Sequence, residues 1–206
     1  MSSAFSSINW YLVAVFLISY LICSINSAIE ICKRKTGADI REVGSENTEP
    51  ENVAKVLGSP LAFLVLLFDI AKVFIAYYLC YAFGKMLGQD VGAPLMRVFM
   101  VSAIFGQCYP VYYGFKGGNG SIVMLVIMFI LNKQIFYVCL IAGIIILLFT
   151  RITALFNISI AVLFCILALV SMKQYFWATL IVAAIVIFKH RNSIKRIKEG
   201  QEEKLF

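Results

Sequence analysis

Apolar residues gather in seven blocks, near residues 10–32, 60–82, 93–113, 121–132, 135–149, 153–171 and 175–188. Stretches such as Tyr11–Ile29 and Ile135–Phe149 contain no charged residue. Because a crossing of the hydrocarbon core takes ~20 predominantly apolar residues, these blocks predict membrane helices rather than the amphipathic helices of a soluble domain. The fourth and fifth blocks are short for a full crossing. That predicts helices that tilt among neighbours or end at a buried re-entrant loop. The expected architecture is all-α and integral to the membrane, with about seven transmembrane helices in a single polytopic domain over 1–206. Polar loops are expected near 32–59, 114–121 and 150–152, with a polar tail at 189–206.

Composition agrees. Of the 206 residues, 62% are hydrophobic and 14% charged, more apolar material than a soluble domain of this size can hide. No basic n-region precedes the first apolar block and no small-residue cleavage site follows it, so Tyr11–Ile29 reads as a retained first helix. Placement of charge sets the orientation. Thirteen basic residues fall on one side of the predicted helices: Lys33, Arg34, Lys35, Arg41, Lys55, Lys116, Arg151 and six in the tail from Lys189 to Lys204. The opposite side holds Lys85, Arg97, Lys133 and Lys173. The positive-inside rule then puts the N-terminus outside and the C-terminus in the cytoplasm, which requires an odd number of helices. The net charge of +7 is therefore mainly a topology signal with some attraction to anionic lipid headgroups, and no nucleic-acid partner is implied. Six cysteines, scattered singly and mostly in apolar blocks, suggest neither a disulfide nor a metal site.

Candidate chemistry lies in the polar intervals. Tyr109–Ser121 contains Lys116-Gly117-Gly118-Asn119-Gly120, and glycines of this density let backbone N–H groups turn inward around an anion. A helix starting near Ser121 would aim its N-terminal dipole at the same point. A tight turn between two membrane helices is the other reading. The first loop carries Asp39-Ile40-Arg41-Glu42-Val43-Gly44-Ser45-Glu46-Asn47 and then Asn52. Its serine, asparagines and arginine offer donors and acceptors suited to an oxyanion and a polyol. A solvated linker has the same composition. Polar residues also enter the helices: Ser24, Asn26, Ser27 and Glu30 near the end of the first block, and Asp69 with Lys72 in the second. The latter two lie three apart on one face and can pair. Ionisable groups at this depth face a bundle interior or a wet cavity.

Side by side, these stretches resemble the bacterial acyl-phosphate:glycerol-3-phosphate acyltransferases (the PlsY type), nearly end to end. Cys23-Ser24-Ile25-Asn26 is similar to a G-S-I-P-like segment of that family. The run from Asp39 to Asn52 matches D-I-R-x-x-G-S-G-N-x-G-A-T-N. Asp69-Ile70-Ala71-Lys72 matches D-I-x-K, and Gly106 to Gly120 matches G-H-x-F-P-V-F-x-x-F-K-G-G-K-G. Arg151 opens a further motif, and His190-Arg191-Asn192-Ser193-Ile194-Lys195-Arg196 is similar to a closing H-R-x-N-I-K-R. The resemblance implies transfer of a fatty acyl group from acyl-phosphate to the 1-hydroxyl of glycerol 3-phosphate, in the bacterial plasma membrane and without a cofactor. By that resemblance Ser45 and Asn47 position polar groups, Arg41 and Lys116 supply charge to phosphate, and Gly117, Gly118 and Gly120 offer backbone N–H groups. Arg151 and His190 complete the anion ring; a solvated interfacial place for His190 is the alternative.

The chain departs from that pattern at several positions. Gln107 stands for the loop histidine, Asn119 for the second loop lysine, Ala154 for a serine and Ser193 for the closing asparagine. Glu46, Glu49 and Glu51 enter the first loop, and each like charge within a few ångströms opposes a bound anion by roughly 1–4 kcal/mol. Weakened or altered anion binding is expected, and a divergent, non-catalytic member binding a lipid or protein partner is the alternative function. A transporter is disfavoured because polar groups gather at one face with no obvious inverted repeat. The H-x-x-x-x-D acyltransferase chemistry is excluded: His190 is the sole histidine, and Lys195 stands five residues on.

Overall fold

Helices supply all the long elements of the computed structural model, which describes residues 9–205. In chain order they are α1 Trp10–Cys23, α2 Ser27–Thr36, α3 Pro50–Leu57, α4 Ser59–Met86, α5 Ala93–Cys108, α6 Ser121–Leu131, α7 Lys133–Thr150, α8 Thr153–Ser171, α9 Phe176–Lys189 and α10 Arg191–Lys198. All seven apolar blocks are helical. The first is broken in two. Asn26 takes extended backbone and its side-chain oxygen accepts the Ile29 N–H at 3.2 Å, so the chain restarts as a new helix where Ser24 and Asn26 interrupt the apolar run. Prolines at the first turn of α3, α4 and α5 sit where a missing N–H costs nothing.

Burial follows the same logic. Phe99, Met100 and Ile104 of α5, Met124 and Ile127 of α6, and Ile160 and Phe164 of α8 are fully buried in one central cluster. α5 lies closest to α1, where a Cβ on Gly106 would come within 2.5 Å of the Tyr20 carbonyl; only glycine permits that approach. Deep between these two helices, Ser19 and Ser102 hydrogen-bond each other, and Ser19 also reaches the Val15 carbonyl at 2.6 Å. The outer surface is apolar instead of polar: Phe63, Phe68, Ile75, Ile141, Leu148 and Phe149 are among the exposed side chains. A protein that turns such residues outward along whole helices has lipid as its solvent.

Four segments among the described residues are long and apolar enough to cross a bilayer: Trp10–Thr36, Ser59–Met86, Lys133–Thr150 and Thr153–Ser171. α5, α6 and α9 are shorter, at 16, 11 and 14 residues. The chain is an all-helical, multi-pass membrane protein. Its first polar loop is more than a linker: Ile29, Cys32, Ile40, Val53 and Val65 form a second buried apolar cluster that joins α2, α3 and the start of α4. A folded loop of this kind can hold side chains in place.

Candidate active site

The first loop is organised by Asn52, which is fully buried. Its amide nitrogen donates to the carbonyls of Ile40, Val43 and Asn47 at 3.1, 3.0 and 2.8 Å. Its oxygen accepts the Ser45 N–H at 2.8 Å. This single side chain therefore sets the turn that presents Ser45 and Asn47, and Asn47 in turn donates to the Ser45 hydroxyl at 3.2 Å. The loop is tied to the helix break by Asn26, whose amide donates to the Thr48 hydroxyl at 3.0 Å.

The glycine loop packs against that turn. A Cβ on Gly118 would lie 2.6 Å from the Thr48 hydroxyl and 3.0 Å from the Gln107 amide nitrogen, so the two loops meet only because the residue is glycine. The N–H groups of Gly117 and Gly118 donate to the carbonyls of Cys108 and Gln107 at 3.2 and 3.1 Å, and the Asn119 N–H donates to the Glu49 carboxylate at 2.9 Å. Gly120 has φ +83°, and α6 begins directly after it at Ser121. Below the loop, Lys189 donates to the carbonyls of Cys108 and Gly117 at 3.2 and 3.1 Å. Gln107 is held by Lys72, which also meets Asp69 at 2.7 Å and the Ile25 carbonyl at 2.8 Å. The expected Asp69–Lys72 pair is thus part of a buried network that links the helix break to the glycine loop.

Together these loops line a cavity of about 510 Å³. Ser45, Asn47, Glu49, Asn119 and Ser121 stand on one part of its wall, with Asn157, His190, Ser193 and Arg196 on another. His190 is buried; its Nδ1 donates to the Val186 carbonyl at 2.8 Å, and its Nε2 lies 3.5 Å from the Asn157 amide. Burial pushes its pKa below the ordinary value, so the ring is neutral at pH 7, with Nε2 left as an acceptor. Glu49 behaves oppositely: burial beneath the glycine loop pushes its carboxyl up to about 7. The tail reaches the rim as well. Glu202 pairs with Arg196, Glu203 meets Lys55 at 2.5 Å, and the Leu205 N–H donates to the Arg151 carbonyl at 2.8 Å.

Ser45, Asn47 and His190 therefore share one cavity. The other expected residues sit differently. Arg41 grips Asp39 at 2.6 Å and donates to the carbonyls of Tyr113 and Lys116 at 3.0 and 2.7 Å, bracing the approach to the glycine loop. That hydrogen bond holds the Asp39 carboxyl below the usual carboxylate range. Lys116 and Arg151 are exposed and lie outside the cavity wall, and Gly117, Gly118 and Gly120 form the loop behind it. Of the three acidic departures, all of which line the cavity, Glu46 is exposed, Glu51 meets Lys55 at 3.2 Å, and Glu49 accepts the Asn119 N–H. Asn157 is absent from the sequence expectations, while Lys189 and Arg196 enter them only through topology and the closing motif. A lone asparagine in the apolar stretch of α8 was the available signal for Asn157.

A membrane-embedded bundle with a polar cavity at one end of its helices suits an enzyme that joins a lipid to a charged, water-soluble group. The family model for glycerol-3-phosphate acyltransferase matches residues 13–200, and the chain belongs to that family. A glycerol-3-phosphate acyltransferase of Syntrophomonas wolfei is 32% identical, covering 93% of this chain and 96% of that protein. One from Neisseria meningitidis serogroup C is 29% identical over 94% and 96% of the two chains. The crystal structure of PlsY (YgiH), an integral membrane glycerol 3-phosphate acyltransferase, in its glycerol 3-phosphate form, superposes with a TM-score of 0.82 at 28% identity over 94% of both chains. Its lysophosphatidic acid form gives 0.78 at 26% identity, again over 94% of each chain.

Proposed function

We propose that this protein transfers a fatty acyl group from acyl-phosphate to the 1-hydroxyl of glycerol 3-phosphate, releasing phosphate and leaving lysophosphatidate in a bacterial plasma membrane. The observation that carries this reading is the shared cavity. It sets the Ser45–Asn47 turn and His190 against a glycine loop and a helix N-terminus, within the fold of a glycerol-3-phosphate-binding relative. An acyl-phosphate is already activated, so the protein's task is alignment and charge stabilisation rather than covalent chemistry. Ser45 and Asn47 orient the acceptor's hydroxyls, and the neutral His190 accepts from the acceptor through Nε2. The start of α6 faces phosphate oxygens, and Arg196, paired with Glu202, lines the opposite wall. Arg41 acts by holding the glycine loop's entry, while Gly117, Gly118 and Gly120 shape that loop. Lys116 and Arg151 supply positive potential outside the wall. The acceptor's proton leaves on the departing phosphate. In this reading about seven helices cross the membrane, with the N-terminus outside and the cavity at the cytoplasmic face.

The test is direct. Purified protein in detergent, given palmitoyl-phosphate and glycerol 3-phosphate, should release phosphate and form lysophosphatidate above an empty-membrane control. Absence of product with a folded, inserted protein would reject the proposal in favour of a binding role.

A further inference from the structure

Glu49 stands where a resident carboxylate has no structural need to be. It is the N-cap residue of α3, yet its side chain makes no cap hydrogen bond to that helix. The carboxylate crosses to the glycine loop and accepts the Asn119 N–H at 2.9 Å, on the cavity wall beside Ser45, Asn47 and Ser121. Its own backbone is fixed by the Asn47 side chain, which accepts the Glu49 N–H at 2.9 Å. The group therefore has a defined place, and that place is the amide an incoming anion would use.

We propose that Glu49 is the specificity-determining residue of the anion site: it holds the Asn119 amide as an internal anion and admits a phosphate dianion only when its carboxyl has taken a proton from solvent. The inference rests on the reading of this cavity as a phosphate site. A dianion beside an ionised carboxylate meets repulsion and an occupied donor. Beside the protonated acid it receives an O–H donor instead, in a short charge-assisted hydrogen bond. No other bond changes, and one proton enters with the ligand.

The surroundings support titration in the working range. Asp69 of α4 and Glu51 of α3 face Glu49 with negative charge, and Lys189 of α9 with positive charge. Asp69 is occupied by Lys72, and across the cavity Arg196 is occupied by Glu202 and Lys55 by Glu203. His190 faces the same space as a neutral ring, and Glu46 is exposed at the rim. With the carboxyl at about 7, about one molecule in eleven is protonated at pH 8 and most are at pH 6.

Sulfate is a suitable probe, because it is a dianion that does not itself titrate near neutrality. Its affinity for the purified full chain is measured at pH 6 and pH 8 for wild type, Glu49→Gln and Glu49→Gly. Glutamine keeps an oxygen for the Asn119 N–H but carries no charge. Both variants are expected to bind sulfate tighter than wild type at pH 8, by about tenfold for glutamine and less for glycine, which offers no donor; at pH 6 glutamine and wild type should bind about equally. Titration of His190 is common to all three proteins, so divergence confined to pH 8 belongs to Glu49. Parallel wild-type and variant curves, equal affinities at pH 8, weaker binding by both variants, or no sulfate binding by wild type at pH 6 would each overturn the inference. Divergent sulfate curves without acyl transfer would reject the acyltransferase reading alone.

Discussion

Replacement of Asn52 by alanine should dismantle the turn that carries Ser45 and Asn47. The side chain is fully buried and serves four backbone groups. Truncation orphans the Ser45 N–H and removes the donor shared by three carbonyls. At roughly 1–3 kcal/mol for an unsatisfied buried group and less for each partly solvated carbonyl, the turn loses about 3 kcal/mol. Since 1.4 kcal/mol is a factor of ten, the ordered turn becomes about a hundredfold less favoured. The transmembrane core, with separate contacts, should be unaffected. Hydrogen exchange in detergent should therefore show faster exchange at residues 43–47 with unchanged protection in α5 and α8. Acyl transfer should fall by about one to two orders of magnitude in kcat/KM. Asn52→Asp should be at least as damaging, because a carboxylate would face the three carbonyls. Wild-type exchange at 43–47 together with wild-type transfer in Asn52→Ala would refute the claim that this side chain holds the turn.

Two further outcomes follow from the same geometry. Asp69→Leu or Lys72→Met alone strands a charge among buried groups and should destabilise the protein by about 3–5 kcal/mol, whereas the double substitution should melt closer to wild type than either single variant. Additive losses on a detergent melting curve would contradict a coupled pair. Single cysteines placed on a cysteine-free background at positions 46, 119 and 198 should resist an impermeant reagent added to intact cells, while position 133 should react. Labelling of position 119 from outside would reverse the orientation.

Hydropathy located every apolar helix because lipid imposes one rule on all of them: bury the backbone's hydrogen bonds and face outward with hydrocarbon. It located helix ends less well. The break at Ser24–Asn26 depends on an asparagine finding the Ile29 N–H, and α3 forms inside a loop whose composition suits a linker equally. Ser45, Asn47 and His190 converge on one cavity, and their polar, short-reach side chains made them readable as candidates. The resemblance assigns Arg41 a charge for phosphate, but its partner Asp39 lies two residues away and the loop carbonyls lie about seventy residues on. Only folding reveals which of these a guanidinium meets. Lys189 was invisible for a related reason. At the polar end of an apolar helix it counts toward topology, and nothing in its sequence neighbourhood marks the carbonyls of Cys108 and Gly117 as its destination.

The unequal helix lengths have a consequence for the surrounding lipid. α4, with 28 residues, is about 42 Å long, while α6, with 11, covers about 16 Å. A hydrocarbon layer of about 30 Å cannot match both. α4 has to lean away from the membrane normal or carry its last apolar turn, with exposed Met86, beyond the hydrocarbon, whereas α6 leaves about one leaflet's depth for other groups to fill. No side chain of α6 is exposed, so protein fills that depth and the mismatch meets lipid through α4. The protein's partitioning between membrane regions should then depend on acyl-chain length as a mechanical property of the bilayer, independently of any chain it handles chemically.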